Sequence, residues 1–104
     1  MVTQQAAIEE VKDLVKGIKS LGIHLRRAIL FGSYARNEQR KWSDIDVALV
    51  ADEFSGVGFD DIGMFGKALV HHIDIQPRTY PTDYFEQGDP FIEEIIRTGI
   101  EIEA

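Results

Sequence analysis

Two short apolar runs, AILF at 28–31 and VALV at 47–50, place the strongest constraint on how this chain can fold. A strand that is apolar on both faces must be covered on both faces, as happens when a sheet is packed between helices. Helical spacing of apolar residues in the flanking segments supplies such helices. The sequence therefore predicts an α/β fold in which helices flank a small mixed sheet.

The other elements follow from apolar spacing and from the residues that end each pattern. A first helix is predicted over 7–21 and ends at Gly22, since glycine readily takes the left-handed position after a helix. A second helix is predicted over 59–72, and its apolar side consists of Phe59, Ile62, Phe65 and Leu69. Pro90 opens a final helix, and a terminal IEIE segment follows it. Three strands are predicted: 23–31, 44–51 and 72–78.

The composition indicates a folded domain and excludes some kinds of binding site. We expect a single folded domain over 1–104, because 44% of the residues are apolar and charges of both signs are spread along the chain. The absence of cysteine excludes disulfides and thiolate metal sites. A net charge of −7 argues against a broad nucleic-acid-binding face, and it suits either a basic protein partner or simple solubility. No segment resembles a signal peptide or a spanning helix, so we expect a cytoplasmic protein.

Asp44 and Asp46 stand at the start of the second predicted strand. Residues two apart on a strand share a face, so their carboxylates lie side by side and repel each other unless a cation sits between them. Oxygen ligands of this kind suit Mg²⁺ that also binds substrate phosphates. Asp74, on the polar side of the third predicted strand, completes a carboxylate triad if that strand lies beside the second. Such a triad serves two-metal phosphoryl or nucleotidyl transfer, with Asp74 placed to accept a proton.

The Gly32–Ser33 pair follows the first apolar strand and is a candidate phosphate-binding turn. Glycine allows the backbone to approach a ligand closely, the serine hydroxyl can bind phosphate, and the amides of the next turn face an anion. A nucleoside triphosphate is then expected to extend from Ser33 to the metals. Arg36 is a further candidate for neutralising phosphate.

Each of these features also has a simpler interpretation. A Gly-Ser after a strand is often only a capped turn, and an Asp-Ile-Asp can be a solvated strand entry. Asp74 can be a surface carboxylate. Adjacent His71 and His72 are more often structural than ligands or bases, and Trp42 either packs its loop or stacks on a base.

The joint pattern GSYARNEQRKWSDID resembles the signature of the nucleotidyltransferase superfamily related to DNA polymerase beta, and the short length resembles its minimal nucleotidyltransferase branch. The resemblance implies the polymerase beta-like nucleotidyltransferase fold. It also implies that Gly32 and Ser33 hold phosphate, while Asp44, Asp46 and Asp74 bind metal. One departure is Asn37, where the family's Ala-Arg is commonly followed by Gly; asparagine tolerates the left-handed backbone that this position requires.

Members of the minimal branch are commonly antitoxins encoded beside a HEPN-domain toxin, and some transfer AMP from ATP to a tyrosine of that toxin. The resemblance therefore implies a Mg²⁺-dependent enzyme, with two ions, ATP as substrate and a HEPN toxin as partner. Two alternatives stay open at this point. The chain can be a non-catalytic antitoxin that only binds its partner, or it can transfer a nucleotide to a small molecule such as an aminoglycoside.

Overall fold

A computed structural model describes residues 3–103 and contains four helices and four strands in that range. The helices are α1 Gln4–Ser20, α2 Gly58–Leu69, α3 Thr82–Gln87 and α4 Pro90–Thr98. The strands are β1 Leu25–Phe31, β2 Ile45–Ala51, β3 Ile75–Pro81 and β4 Ile100–Ile102. Within residues 3–103, none of the helices has the length and apolar character needed to cross a membrane.

The strands form one mixed sheet in the order β3-β2-β1-β4. Strand β1 is antiparallel to both β2 and β4, whereas β2 and β3 are parallel and are joined by α2. A parallel pair requires such a crossover, which explains why a helix separates these two strands in the sequence. The predicted small mixed sheet flanked by helices is confirmed.

The two faces of the sheet are covered by different helices. Val47 and Leu49 of β2 face the main core under α1 and α2, which also contains Leu14, Ile18 and Phe65. Ala48 and Val50 face a smaller core under α3 and α4, which also contains Phe85, Ile92 and Ile95. The continuous VALV run is therefore the consequence of burial on both faces, as the sequence predicts.

Strand β3 begins at Ile75, three residues later than the alternation in HIDIQPR predicts. His72 is buried between α1 side chains, with Nδ1 3.2 Å from Glu10 and Nε2 2.9 Å from Asp13, while Ile73 is 89% exposed. The predicted strand 72–78 was thus wrong at both ends. The polar and apolar alternation of these residues comes from the packing of a turn against α1.

Strand β3 continues through Pro77 because this proline turns its nitrogen away from the sheet. The amide of Ile45 donates to the carbonyl of Asp74 at 2.9 Å, and Ile45 is paired with Ile75 in the parallel ladder. Every second residue from Asp74 onward therefore bonds to β2, and the intervening residues direct their backbone groups to the outer edge. Pro77 and Pro81 occupy such outward positions, where no N–H is needed.

Helix α2 packs differently from the predicted pattern. Phe59 is 91% exposed, although the spacing places it on the apolar side, and the buried residues are Asp61 and Phe65. Ile62, Phe65 and Leu69 pack against the main core as predicted, so only Phe59 departs from the predicted apolar side. The helix is kinked at Phe65, which has a φ of −130°. Helix α3 has no counterpart among the predicted elements, whereas the predicted start of the last helix at Pro90 is confirmed.

Candidate functional site

Gly32 ends β1 and lies directly against the carboxylate of Asp46. Its φ of +75° is in the left-handed region, and a Cβ atom at this position would collide with Asp46 Oδ2 and lie 3.3 Å from Cγ. No other residue type fits both the backbone geometry and the available space without a shift. The structure therefore joins the glycine turn and the Asp-Ile-Asp segment into one location.

Asp46 is the β2 residue that pairs with Phe31 of β1 and Gln76 of β3. Its pKa is raised, first by burial and then by the negative charge of Asp44, while Arg36 opposes the shift. The two carboxylates are therefore close enough to repel each other, and Asp46 is half-buried. Asp44 lies immediately before β2 and is exposed, so the pair opens to solvent.

The segment after Gly32 is a compact set of turns that α1 holds in place. The amide of Arg36 donates to the Gly32 carbonyl at 3.3 Å, and the amide of Glu38 donates to the Ser33 carbonyl at 2.8 Å. Tyr34 is buried in the main core, and Gln4 of α1 donates to its carbonyl at 2.9 Å. The start of α1 thus fixes the turn that carries Ser33.

Asn37 and Arg36 complete this segment. Asn37 has a φ of +55°, so it takes the left-handed conformation expected where relatives commonly carry glycine. Arg36 Nε donates to Glu38 Oε1 at 2.8 Å on the exposed side of the turn. Because Arg36 also lowers the pKa of Asp46, its charge acts on the carboxylate pair.

Asp74 lies in the turn before β3. Its carbonyl accepts from the amide of Ile45, so its backbone is adjacent to the start of β2. Its carboxyl group lies against Glu10 of α1, whose pKa is raised by burial and then by this contact. In contrast, the charges that act on Asp46 come from Asp44 and Arg36. The structure brings two of the three predicted carboxylates together and places the third beside α1.

The remaining candidates differ in their surroundings. His72 is held by Glu10 and Asp13, which favours the structural interpretation, and His71 is exposed. Trp42 is 85% exposed, and the Lys41 ammonium lies 5.1 Å from its ring centroid. Trp42 therefore does not pack its loop against the core. Within residues 3–103, no group of three His, Asp or Glu side chains is arranged to hold a metal ion.

Three residues near Asp46 were missed by sequence reasoning. Gln76 and Arg78 of β3 share the sheet face of Asp46, and Phe91 at the start of α4 lies against the same face. The Arg78 guanidinium is 4.7 Å from the centroid of the Phe91 ring. The alternation of side chains along β3 indicates that Gln76 and Arg78 share the face of Asp46. This pattern can be applied only when the strand is known to begin at Ile75.

The structure thus sets a glycine turn against a carboxylate pair on a mixed sheet. The sequence pattern of the nucleotidyltransferase domain matches residues 8–101, and the chain belongs to this family of transferases. The superfamily that the GSYARNEQRKWSDID segment resembles is thereby confirmed. No curated protein sequence matches the chain.

Two solved structures share the fold. A protein from Sulfolobus solfataricus assigned as a nucleotidyltransferase has a TM-score of 0.65 at 19% identity, covering 94% of this chain and 80% of that one. A toxin–antitoxin crystal structure with AMP-PNP has a TM-score of 0.63 at 18% identity, covering 89% of this chain and 72% of that one. At these identities, the likeness establishes the nucleotidyltransferase fold.

Proposed function

We propose that this protein transfers AMP from ATP, with Mg²⁺, to a tyrosine hydroxyl of a partner toxin of the HEPN type, and that it thereby acts as an antitoxin. The observation that carries the proposal is the contact between Gly32 and Asp46. This contact places a turn suited to phosphate beside carboxylates suited to a divalent cation. A domain of the nucleotidyltransferase family needs both features at one place.

The phosphate side of the site is the turn after β1. The amides of this turn, the Ser33 hydroxyl and the Arg36 guanidinium are the groups proposed to hold the β- and γ-phosphates of ATP. The toxin–antitoxin relative with the same fold was crystallised with AMP-PNP, an analogue of ATP. This supports ATP as the nucleotide proposed here.

The carboxylate pair fits a divalent cation. Burial and mutual repulsion raise the pKa of Asp46, and a bound cation would relieve both effects. Asp44 and Asp46 would hold Mg²⁺, and Asp74 is the candidate third ligand for a second ion. When bound, Mg²⁺ supplies neutralisation of the phosphate charges during the transfer.

The proposed transfer is a single displacement at the α-phosphorus. The acceptor oxygen forms a bond to this phosphorus, the bond to the bridging oxygen breaks, and pyrophosphate leaves. The proton of the acceptor hydroxyl passes to a carboxylate, and Asp74 is the residue proposed for this role; in this structure its carboxyl group lies against Glu10 of α1, so it must turn toward Asp44 and Asp46 to accept the proton. The products are AMP-modified acceptor and pyrophosphate.

The partner is proposed from the charge of the chain and from its relatives. The net charge of −7 suits a basic protein. A structural relative is a toxin–antitoxin assembly, and the minimal branch that the sequence resembles pairs with HEPN toxins. We place this reaction in the cytoplasm, where ATP and such toxins meet.

Incubation of the protein with the proposed HEPN-type toxin, ATP and Mg²⁺ tests the proposal, with the intact mass of the toxin as the readout. The wild-type protein should add one or more AMP units, and Asp46→Asn should add none. Asp83→Asn, which changes an exposed carboxylate on α3, should behave as wild type. A toxin that stays unmodified by the wild-type protein would refute the transfer.

A further inference from the structure

We propose that a cavity on the β3 side of the carboxylate pair binds the acceptor tyrosine side chain, with Arg78 and Phe91 as its principal contacts. This inference rests on the proposed function and assigns the binding site of the acceptor side chain, which the proposed function does not assign. The cavity, called here the acceptor cavity, has a volume of about 580 Å³. It is lined by Arg78, Tyr80, Tyr84, Asp89, Phe91 and the loop at 55–58.

The nearest lining residue of the acceptor cavity on the face of Asp46 is Arg78, one pleat along β3, and Asp46 itself does not line the cavity. Asp46 pairs with Gln76, and Ala48 pairs with Arg78, so Arg78 lies on the same face one pleat further along β3. Strand spacing and rise place the Cα atoms of Asp46 and Arg78 roughly 8 Å apart. The Phe91 ring contacts Phe31 of β1 at 5.8 Å between centroids and also contacts Arg78, so it bridges β2 next to the carboxylates.

The in-line geometry of the transfer indicates that the cavity binds the acceptor rather than the phosphates. The attacking and leaving oxygens lie roughly in line at the reacting phosphorus. Gly32 and Ser33 end β1, so pyrophosphate held by their turn leaves toward β1. The sheet order is β3-β2-β1, with Asp46 on the middle strand of these three. The acceptor therefore approaches from the β3 side, where the cavity lies.

The lining of the cavity suits an aromatic hydroxyl. Phe91 and Tyr84 are 42% and 46% exposed. Arg78 covers one face of the Phe91 ring and Tyr80 stacks on one face of Tyr84, so the opposite face of each ring is the one proposed to stack on the acceptor. The Tyr84 hydroxyl donates to Asp89 Oδ2 at 2.6 Å, so the position of this ring is fixed. The Arg78 guanidinium has donors to stabilise charge that develops on a phenol oxygen as it attacks.

The edge of β3 limits how a polypeptide can enter. The outward-facing positions of β3 include Pro77 and Pro81, which carry no N–H, so only Thr79 between them offers an edge donor. Addition of a strand to this edge is therefore disfavoured. The partner is expected to insert a side chain into the acceptor cavity rather than to extend the sheet.

Arg78→Met tests the inference, because it keeps much of the aliphatic stem but removes the guanidinium. Arg97→Met is the control, since Arg97 pairs only with Glu94 on the exposed side of α4. Arg78→Met should lower kcat/KM for AMP transfer to the toxin by about tenfold or more and leave the affinity for AMP-PNP with Mg²⁺ unchanged. Unchanged transfer would overturn the inference, and so would an equal loss of AMP-PNP affinity, which would assign the cavity to the nucleoside.

A binding measurement tests the acceptor cavity independently of catalysis. N-acetyl-tyrosinamide, titrated while amide NMR shifts are recorded, should perturb residues 78–80, 84 and 89–91 in the wild-type protein and bind about tenfold more weakly to Arg78→Met. N-acetyl-serinamide should cause no such shifts. If the wild-type protein transfers no AMP yet binds the tyrosine probe in this way, the transfer fails and the cavity stands. Equal binding of the two probes, or equal binding of the tyrosine probe to both proteins, would overturn the cavity assignment.

Discussion

At the scale of single residues, the candidate site depends on a glycine that touches a carboxylate. Gly32 combines a φ of +75° with contact to Asp46, whereas Gly22 has a φ of +85° and no neighbour within 4 Å of its Cβ position. Both glycines have a positive φ that favours glycine, and they differ in what surrounds them. Alanine variants of the two glycines therefore distinguish the effect of backbone strain from the effect on the candidate site.

We predict that Gly32→Ala and Gly22→Ala each lower the free energy of unfolding by about 1–2 kcal/mol, because alanine is strained at a positive φ. Only Gly32→Ala should also displace the Asp46 carboxylate and lose affinity for AMP-PNP with Mg²⁺. Urea unfolding and calorimetric titration measure the two effects. Equal nucleotide affinity in both variants would remove the turn from the site.

Because the pKa of Asp46 is raised, we predict that replacing this residue increases the stability of the protein and that the increase depends on pH. Burial and Asp44 raise this pKa in the folded protein, so the ionised carboxylate destabilises the fold at neutral pH. Asp46→Asn should therefore be more stable than wild type at pH 8. The difference should shrink as the pH falls through the raised pKa toward the ordinary value, because the wild-type carboxyl then gains its proton. Thermal unfolding at several pH values measures this, and a destabilised variant at pH 8 would contradict it.

Residue spacing made part of the site predictable. The ten residues between Ser33 and Asp44 return the chain to a strand beside the first one, and alternation fixes which side chains share a face. Asp74 was harder to place, because its environment depends on where β3 begins and on what α1 presents there. Glu10, a contact more than sixty residues away in sequence, has no local signal.

At the scale of elements, a buried carboxylate connects α2 to β3. Asp61 is 2% exposed and accepts from the Ser55 amide at 2.8 Å, the Gly56 amide at 2.9 Å and the Thr79 hydroxyl at 2.7 Å. Burial alone would raise its pKa, but these hydrogen bonds outweigh burial and lower it. The residue thus fixes the loop that forms one wall of the acceptor cavity.

We predict that Asp61→Asn lowers the free energy of unfolding by about 3 kcal/mol, because the amide group cannot accept from all of these donors. Thr79→Val, which removes a single donor, should cost about 1 kcal/mol. The stability that Asp61 supplies is present above its ordinary pKa and is lost as the pH falls through the lowered value, opposite in sign to Asp46. Urea unfolding at pH 7 and in acid tests this, and equal losses for the two variants would contradict the network.

The elements also show which sequence signals are reliable. The helix start at Pro90 and the two fully apolar strand segments were predicted, because capping chemistry and two-sided burial are local or nearly local effects. The exposed Phe59 and the buried Asp61 were not predicted, because they exchange the usual positions of apolar and charged residues. Only the hydrogen-bonded loop at 55–56 explains that exchange.

At the scale of the whole molecule, the two faces of the sheet are covered to different extents. Helices α1 and α2 cover one face, while α3 and α4 cover only part of the other, where Asp46, Arg78 and Phe91 meet. Under the proposed function, a partner protein completes the site on this face. Whether that partner is modified or only bound distinguishes an enzyme from a binding antitoxin.

Asp74→Asn distinguishes these two accounts most directly, because it keeps the shape of the side chain and removes its charge and basicity. Two quantities are measured for wild type and variant: the mass of the toxin after incubation with ATP and Mg²⁺, and the affinity for unmodified toxin. We predict equal affinity, with transfer slowed by about 10²–10⁴-fold in the variant. Equal neutralisation of the toxin by both proteins, with no AMP adduct on either, would contradict the enzymatic account.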